Sequence, residues 1–296
     1  MSEAGWRLPS PSALLKVARP GLWFQTLWLY ALPLAAGADW SSPGPWLGLL
    51  YVTWPLSLLV YGWNDLVDVD IDAQNPRKDS WLFGARLGLP ELRGVARLNI
   101  AVQALFAVAF ALVAGPATLL TMAAIVAVNA TYNARIGGLR GRPPFDLLNP
   151  LGYLLVVQLG VQVAGVPPVP WQALVYLGLF CLQAQLIGEV MDYWPDRASG
   201  RVTTATVIGV RPSKLIITGV VALEAALLWF GFGDAVLAGT LALATLWLLA
   251  DLLVLWRDRP YTRQEYTLAG VGMNVAGLAS MAWVFWTGAL LRPIWP

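Results

Sequence analysis

Long apolar runs separated by short charged segments most constrain this chain, because a stretch of about 20 apolar residues spans the hydrocarbon core of a bilayer as a helix. Such windows fall at 21 to 38, 45 to 63, 95 to 114, 117 to 133, 146 to 165, 171 to 191, 213 to 232, 235 to 256 and 266 to 290. They predict an all-α, polytopic membrane protein of nine transmembrane helices, with Gly115-Pro116 dividing the third from the fourth. Hydrophobic residues make up 58% and charged residues 12% of the 296, where a soluble domain has about 45–50% and about 25%.

The basic residues test this count, since Lys and Arg concentrate on the cytoplasmic side. With the N-terminus inside, every one of the 19 except Arg292 falls in a cytoplasmic segment. The groups are Arg7, Lys16 and Arg19; Arg77, Lys78, Arg86, Arg93 and Arg97; Arg135, Arg140 and Arg142; Arg197, Arg201, Arg211 and Lys214; and Arg257, Arg259 and Arg263. This predicts a single integral domain over 1–296 in the cell (inner) membrane, with residues 1–20 a cytoplasmic N-terminal segment. The stretch ending Leu34-Ala35-Ala36-Gly37-Ala38 has the look of a cleaved signal, but the charge segregation works when it is retained as the first span.

Composition narrows the chemistry. Histidine is absent and Cys181 is the one cysteine, which excludes haem ligation, histidine zinc sites, and Ser-His or Cys-His nucleophiles. The net charge of +2 gives no reason to expect a nucleic-acid partner, and oligomeric state is not readable.

The carboxylates are the unusual feature. Asp65, Asp68 and Asp72 are spaced three and four apart, Glu189, Asp192 and Asp196 repeat that spacing 124 residues later, and Arg77 and Arg201 follow at the same distance. On a helix the first three lie within about 60° of one another, with Asp70 opposite and solvated. Asp79 is expected to be solvated too. Each unpaired acid costs about 2.5–3.5 kcal/mol at a helix centre, so like charges this close need a cation even at helix ends. Carboxylate and amide oxygens without sulfur or imidazole suit a hard divalent ion, and magnesium completes its shell with water and substrate phosphates. Flanking Arg and Lys would then favour a polyanion such as a diphosphate.

Asn64-Asp65-x-x-Asp68-x-x-x-Asp72 and Asp192-x-x-x-Asp196 resemble the paired signatures of the UbiA superfamily of intramembrane prenyltransferases, a nine-helix bundle around a central cavity. The resemblance implies magnesium (Mg2+) held by Asn64, Asp65, Asp68, Asp72, Asp192 and Asp196, with Asp68, Asp72, Asp192 and Asp196 carrying catalysis. It further implies a prenyl diphosphate bound by Asn64, Arg77, Lys78, Arg135, Arg201 and Tyr132, and a lipophilic acceptor reached from membrane lipid. Asn75-Pro76-Arg77-Lys78 and the run Asp196 to Thr206 are similar to lycopene elongase/hydratase members, although Lys78-Asp79-Ser80 stands where that group continues Lys-Gly-Gly. An aromatic acceptor is the alternative within this class, and a cation or proton transporter the alternative outside it.

Pro195 should kink or end the sixth helix. Tyr132, Trp63 and Tyr193 are the aromatic candidates for sheltering a carbocation, whereas Trp40, Trp46, Trp171 and Trp295 fit the outer interface. With every Lys and Arg assigned to a loop, no deep cation is expected to hold an acceptor carboxylate, which favours an apolar acceptor. Glu224 and Asp251 lie within spans without a readable partner, as structural or proton-transfer groups.

Overall fold

The computed structural model describes residues 5–73, 78–134 and 137–295 and is helical throughout its core. The helices in chain order are α1 (Pro11–Val17), α2 (Trp23–Leu34), α3 (Pro43–Val52), α4 (Trp54–Val67), α5 (Val69–Asp72), α6 (Leu89–Ala114) and α7 (Ala117–Asn133). They continue as α8 (Leu154–Ala164), α9 (Trp171–Met191), α10 (Tyr193–Ala198), α11 (Thr204–Ile208), α12 (Val210–Phe232), α13 (Ala235–Ala250) and α14 (Arg263–Thr287).

Among the described residues, seven helical segments are long and apolar enough to cross a membrane: Pro43–Val67, Leu89–Ala114, Phe145–Ala164, Trp171–Met191, Val210–Phe232, Ala235–Leu255 and Arg263–Thr287. The first and fourth expected windows are helical as well, but α2 has 12 residues and α7 has 17, short of the roughly 20 that a full crossing takes. The expected count of nine full-length spans is therefore corrected to seven. In α2, Pro33 occupies the last turn and Gly37, at φ 108°, redirects the chain. Gly115, at φ 89°, separates α6 from α7, a conformation that glycine adopts without the Cβ penalty.

Packing divides the bundle into two halves. Toward the end away from the acidic motifs, α2, α3, α6, α8 and α9 enclose Leu29, Tyr30, Tyr51, Phe110, Leu159 and Leu177. Here small residues let helices approach: a Cβ on Gly44 would lie 2.5 Å from the Val163 carbonyl oxygen, and one on Gly48 1.9 Å from Tyr30 Oη. Tyr30 in turn donates to the Pro45 carbonyl at 3.2 Å. Trp40, Trp46, Trp171 and Trp295 are exposed at this end, joined by Trp46 Nε1 donating to the Trp40 carbonyl and Gln172 Nε2 to the Trp295 carbonyl.

The other half is built on α12, which packs against α9 and α13. Lys214 lies inside α12, 2% exposed, and donates to Asp251 Oδ1 at 2.8 Å. Asp251 heads a π-helical turn, Asp251–Leu255, and also accepts from the Tyr261 hydroxyl. The extra residue of a π turn re-aims side chains, which seats the acid on the lysine. A buried cation thus lies within a helix, about one turn from its start, and Asp251 has a partner that sequence spacing did not reveal, because the two residues are 37 apart on different helices.

Candidate active site

Both motifs end their helices in the same way. The Asp68 N–H donates to the Asn64 carbonyl at 3.0 Å and the Asp72 N–H to Asp68 at 2.8 Å; Asp192 and Asp196 repeat these bonds to Gly188 and Asp192 at 3.0 and 2.8 Å. Asp68 and Asp192 therefore occupy equivalent breaks, after α4 and after α9, and the short helices α5 and α10 carry Asp72 and Asp196. The sixth apolar helix does end near Pro195, four residues ahead of it at Met191, since proline offers no N–H to the Met191 carbonyl and is accommodated in the first turn of α10.

These ends line one cavity of about 280 Å³, with Asn64, Asp68, Asp72, Lys78, Tyr132, Asp192, Asp196 and Arg201 on its wall. Arg77 and Arg135 lie outside the described residues. Asp65 is buried behind the wall at 2% exposure, its Oδ1 accepting from Arg19 Nη2 at 2.8 Å and Lys78 Nζ at 2.7 Å. Lys78 reaches Asp72 at 2.7 Å as well, so one ammonium ties the first and last acids of the motif. Asp70 is exposed; Asp79 is also exposed but pairs with Lys16 at 2.9 Å. Trp63 packs into the apolar core and Tyr193 accepts from Arg197 at 2.9 Å, and neither is part of the cavity wall.

Charge pairing crosses the pseudo-repeat. Arg201, after the second motif, holds Asp68 of the first across 133 residues and stands 3.5 Å from Asp196 of its own. Arg140 grips the other oxygen of Asp68. Burial, with Arg201 next to it, pulls the Arg140 guanidinium down to about 9. For Asp72, burial pushes the carboxyl up while Lys78 opposes it. Arg19 is held above its ordinary value because Asp65 and its neighbours outweigh the cost of burial, and its guanidinium lies 4.4 Å over the Tyr61 ring.

Several wall residues were not among the expected site residues. Arg19 and Arg140 read as topology markers. Asp146, 1% exposed, accepts from the Thr204 N–H at 2.8 Å and its hydroxyl at 2.5 Å, tying the fifth span to the segment after the second motif. Glu189 accepts from Ala205 N at 3.1 Å and Gln185 at 3.2 Å. Asn129, Asn149 and Tyr153 complete the polar wall. An acid opening an otherwise apolar span was the available signal for Asp146.

The wall suits a divalent cation with a polyanion. Among the described residues it has six carboxyl groups, Asp68, Asp72, Asp146, Glu189, Asp192 and Asp196, against four cations, Arg19, Lys78, Arg140 and Arg201. Asn149 Oδ1 and Arg140 Nη1 are buried there with no hydrogen-bond partner among the described residues, one acceptor and one donor. No three acids among the described residues could enclose an ion unaided; magnesium accepts that arrangement, since one or two carboxylates suffice when water and phosphate supply the rest.

A second cavity, of about 680 Å³, lies between α2, α9, α12, α13 and α14 and is walled mostly by Leu, Phe, Trp and Ala side chains. Gln25, Phe180 and Tyr266 line both cavities, so a charged chamber adjoins an apolar one. The architecture is that of a polytopic helical membrane protein with a polar chamber at one end of its bundle.

The UbiA prenyltransferase family model matches residues 22–278, and the chain belongs to that family. A lycopene elongase/hydratase of Haloarcula japonica is 31% identical over 205 residues, covering 66% of this chain and 67% of that protein. One from Corynebacterium glutamicum is 28% identical over 205 residues, 67% and 70% of the two chains. The structure of a UbiA homologue from Archaeoglobus fulgidus bound to GPP and Mg2+ shares the fold at TM-score 0.66 and 18% identity, over 91% of this chain and 99% of that one. An apo UbiA homologue from Aeropyrum pernix K1 gives 0.61 at 20% identity, over 87% and 96%.

Proposed function

We propose that this protein transfers a prenyl group from an allylic prenyl diphosphate to an apolar acceptor of the lycopene type, in a magnesium-dependent reaction. The observation that carries the reading is Arg201, which holds Asp68 and stands beside Asp196, so that both motifs close on one chamber. Asn64, Asp68, Asp72, Asp192 and Asp196 would hold magnesium, and the ion would supply charge neutralisation for the departing diphosphate. Arg140, Arg201 and Lys78 exchange carboxylate partners for phosphate oxygens as the anion enters. Asp65 keeps Lys78 and Arg19 in place from behind. Tyr132, hydrogen-bonded to Gln185 at 3.4 Å, lines the diphosphate chamber and offers a ring face that favours an allylic cation.

Three features support an apolar acceptor. The adjoining cavity is apolar, the named relatives are lycopene elongase/hydratases, and the buried Lys214 is committed to Asp251. The chain is read as a single domain in the inner membrane, with the motif end and N-terminus cytoplasmic. Purified protein given an allylic diphosphate, lycopene and magnesium should release pyrophosphate and yield a C45 or C50 product, both abolished by EDTA. In a lycopene-producing host, pigment of unchanged mass would direct the acceptor assignment to aromatic substrates.

A further inference from the structure

The apolar cavity is lined by two acids that the proposed ionisation does not use, Glu224 and Glu265. Glu224, on α12, is 0% exposed and lines that cavity. Its Oε2 accepts from Gln183 Nε2 at 3.2 Å, and its Oε1 is buried with no hydrogen-bond partner among the described residues. Glu265 is the other acid on this wall, but it is engaged: Arg259 donates to it at 3.0 and 2.6 Å and the Thr262 N–H at 2.7 Å, at the start of α14. A buried polar atom without a partner costs several kcal/mol in apolar surroundings, and acids inside spans mark function. Gln183 precedes Asp192 by nine residues on α9, which puts this carboxyl about 13 Å deeper than the acidic rim. That depth belongs to the acceptor rather than to the diphosphate.

We infer that Glu224 is the general base that resolves the cation left on the acceptor after prenyl transfer. The inference rests on the function proposed above. In the transfer, the donor C–O bond breaks with its electron pair leaving on diphosphate, and an acceptor C=C pair forms the new C–C bond, leaving a carbocation on the acceptor. Glu224 then takes one proton. If it comes from the carbon beside the cation, the C–H pair becomes a new C=C bond. If water adds to the cation first, the proton comes from that water and a hydroxyl remains. Either way an O–H bond forms at Glu224 and a neutral product leaves. Trp28, Tyr176 and Trp247 on the same wall offer ring faces to the cation meanwhile, and Gln183 holds the carboxyl in place through its other oxygen.

The test uses full-length protein in lipid nanodiscs with geranyl diphosphate, lycopene and magnesium. Wild-type protein that releases no pyrophosphate and makes no product would sink the parent function, whatever Glu224 does. Given active wild type, E224Q should lower kcat for product about 100-fold and leave donor KM within about twofold, and pyrophosphate released should exceed product formed. E224D should recover part of the loss. Unchanged product yield in E224Q overturns the assignment, as does equal loss in E224Q and E224D accompanied by raised donor KM and lowered Tm, which marks a packing role. A second measurement needs no variant: a hydrophobic carbodiimide, which attaches to carboxyl groups in apolar surroundings, should modify Glu224 in the wild-type protein and be blocked by lycopene. Labelling that lycopene leaves unaffected also overturns it.

Discussion

Replacing Asp68 by Asn changes one oxygen and removes one charge, yet the pairing around it predicts two effects of opposite sign. Asp68 is buried and lies between Arg140 and Arg201, and burial, together with Arg201 beside it, already pulls Arg140 down to about 9. Without the carboxylate, two partly buried guanidiniums face each other with less neutralising charge. Breaking a buried pair in this way costs about 3–5 kcal/mol, so thermal unfolding in detergent should come at distinctly lower temperature. Loss of a charge-stabilising group at the departing diphosphate should lower kcat about 100- to 1000-fold, or about 2.7–4 kcal/mol. Binding of bare pyrophosphate without magnesium should strengthen, because the anion now replaces the missing negative charge. A gain of 1.4 kcal/mol would appear as a tenfold fall in Kd. Calorimetric titration of Asp68→Asn with pyrophosphate, with and without magnesium, measures this. Turnover equal to wild type, or magnesium-free affinity that falls with the substitution, would refute the reasoning.

Other outcomes follow from single contacts. Gly48→Ala places a methyl group where Tyr30 now sits, and overpacking of this kind should cost about 1–3 kcal/mol, read as reduced Tm with the helix content kept. Lys214→Met alone strands Asp251 and should destabilise by about 3–5 kcal/mol, whereas Lys214→Met with Asp251→Leu should regain most of it; a double variant no better than the single would count against the buried pair. Lys16→Met, which removes the partner of the exposed Asp79, should change stability by less than about 1 kcal/mol and leave turnover as it was. Asp65→Asn frees Lys78 and Arg19 from their shared partner and should raise donor KM more than it lowers kcat, measured by pyrophosphate release.

The sequence was most legible where the physics is local. Run length against bilayer thickness placed the long apolar segments but not the short helices α1, α5, α10 and α11, and it overcounted the full crossings, because the curtailed ends of α2 and α7 depend on where Pro33, Gly37 and Asn133 meet their neighbours. Motif spacing likewise placed Asp68, Asp72, Asp192 and Asp196, since separations of three and four fix neighbouring positions along a helical segment. The same periodicity put Asp65 beside Asp68 and Asp72, but the break at Asp68 turned it behind the cavity wall, toward Arg19.

Sequence alone thus determined that this is a membrane-spanning helical chain with two acidic helix ends, because hydrophobicity and period act over a few residues. Tertiary packing decided which cation meets which carboxylate: Arg201 with Asp68, Arg19 with Asp65, Lys214 with Asp251. It also decided that Glu224 faces an apolar chamber. Those partners are 133, 46 and 37 residues apart, and no periodicity reaches so far. Only the stacking of helices brings such charges within the few ångströms over which a low-dielectric interior makes pairing decisive.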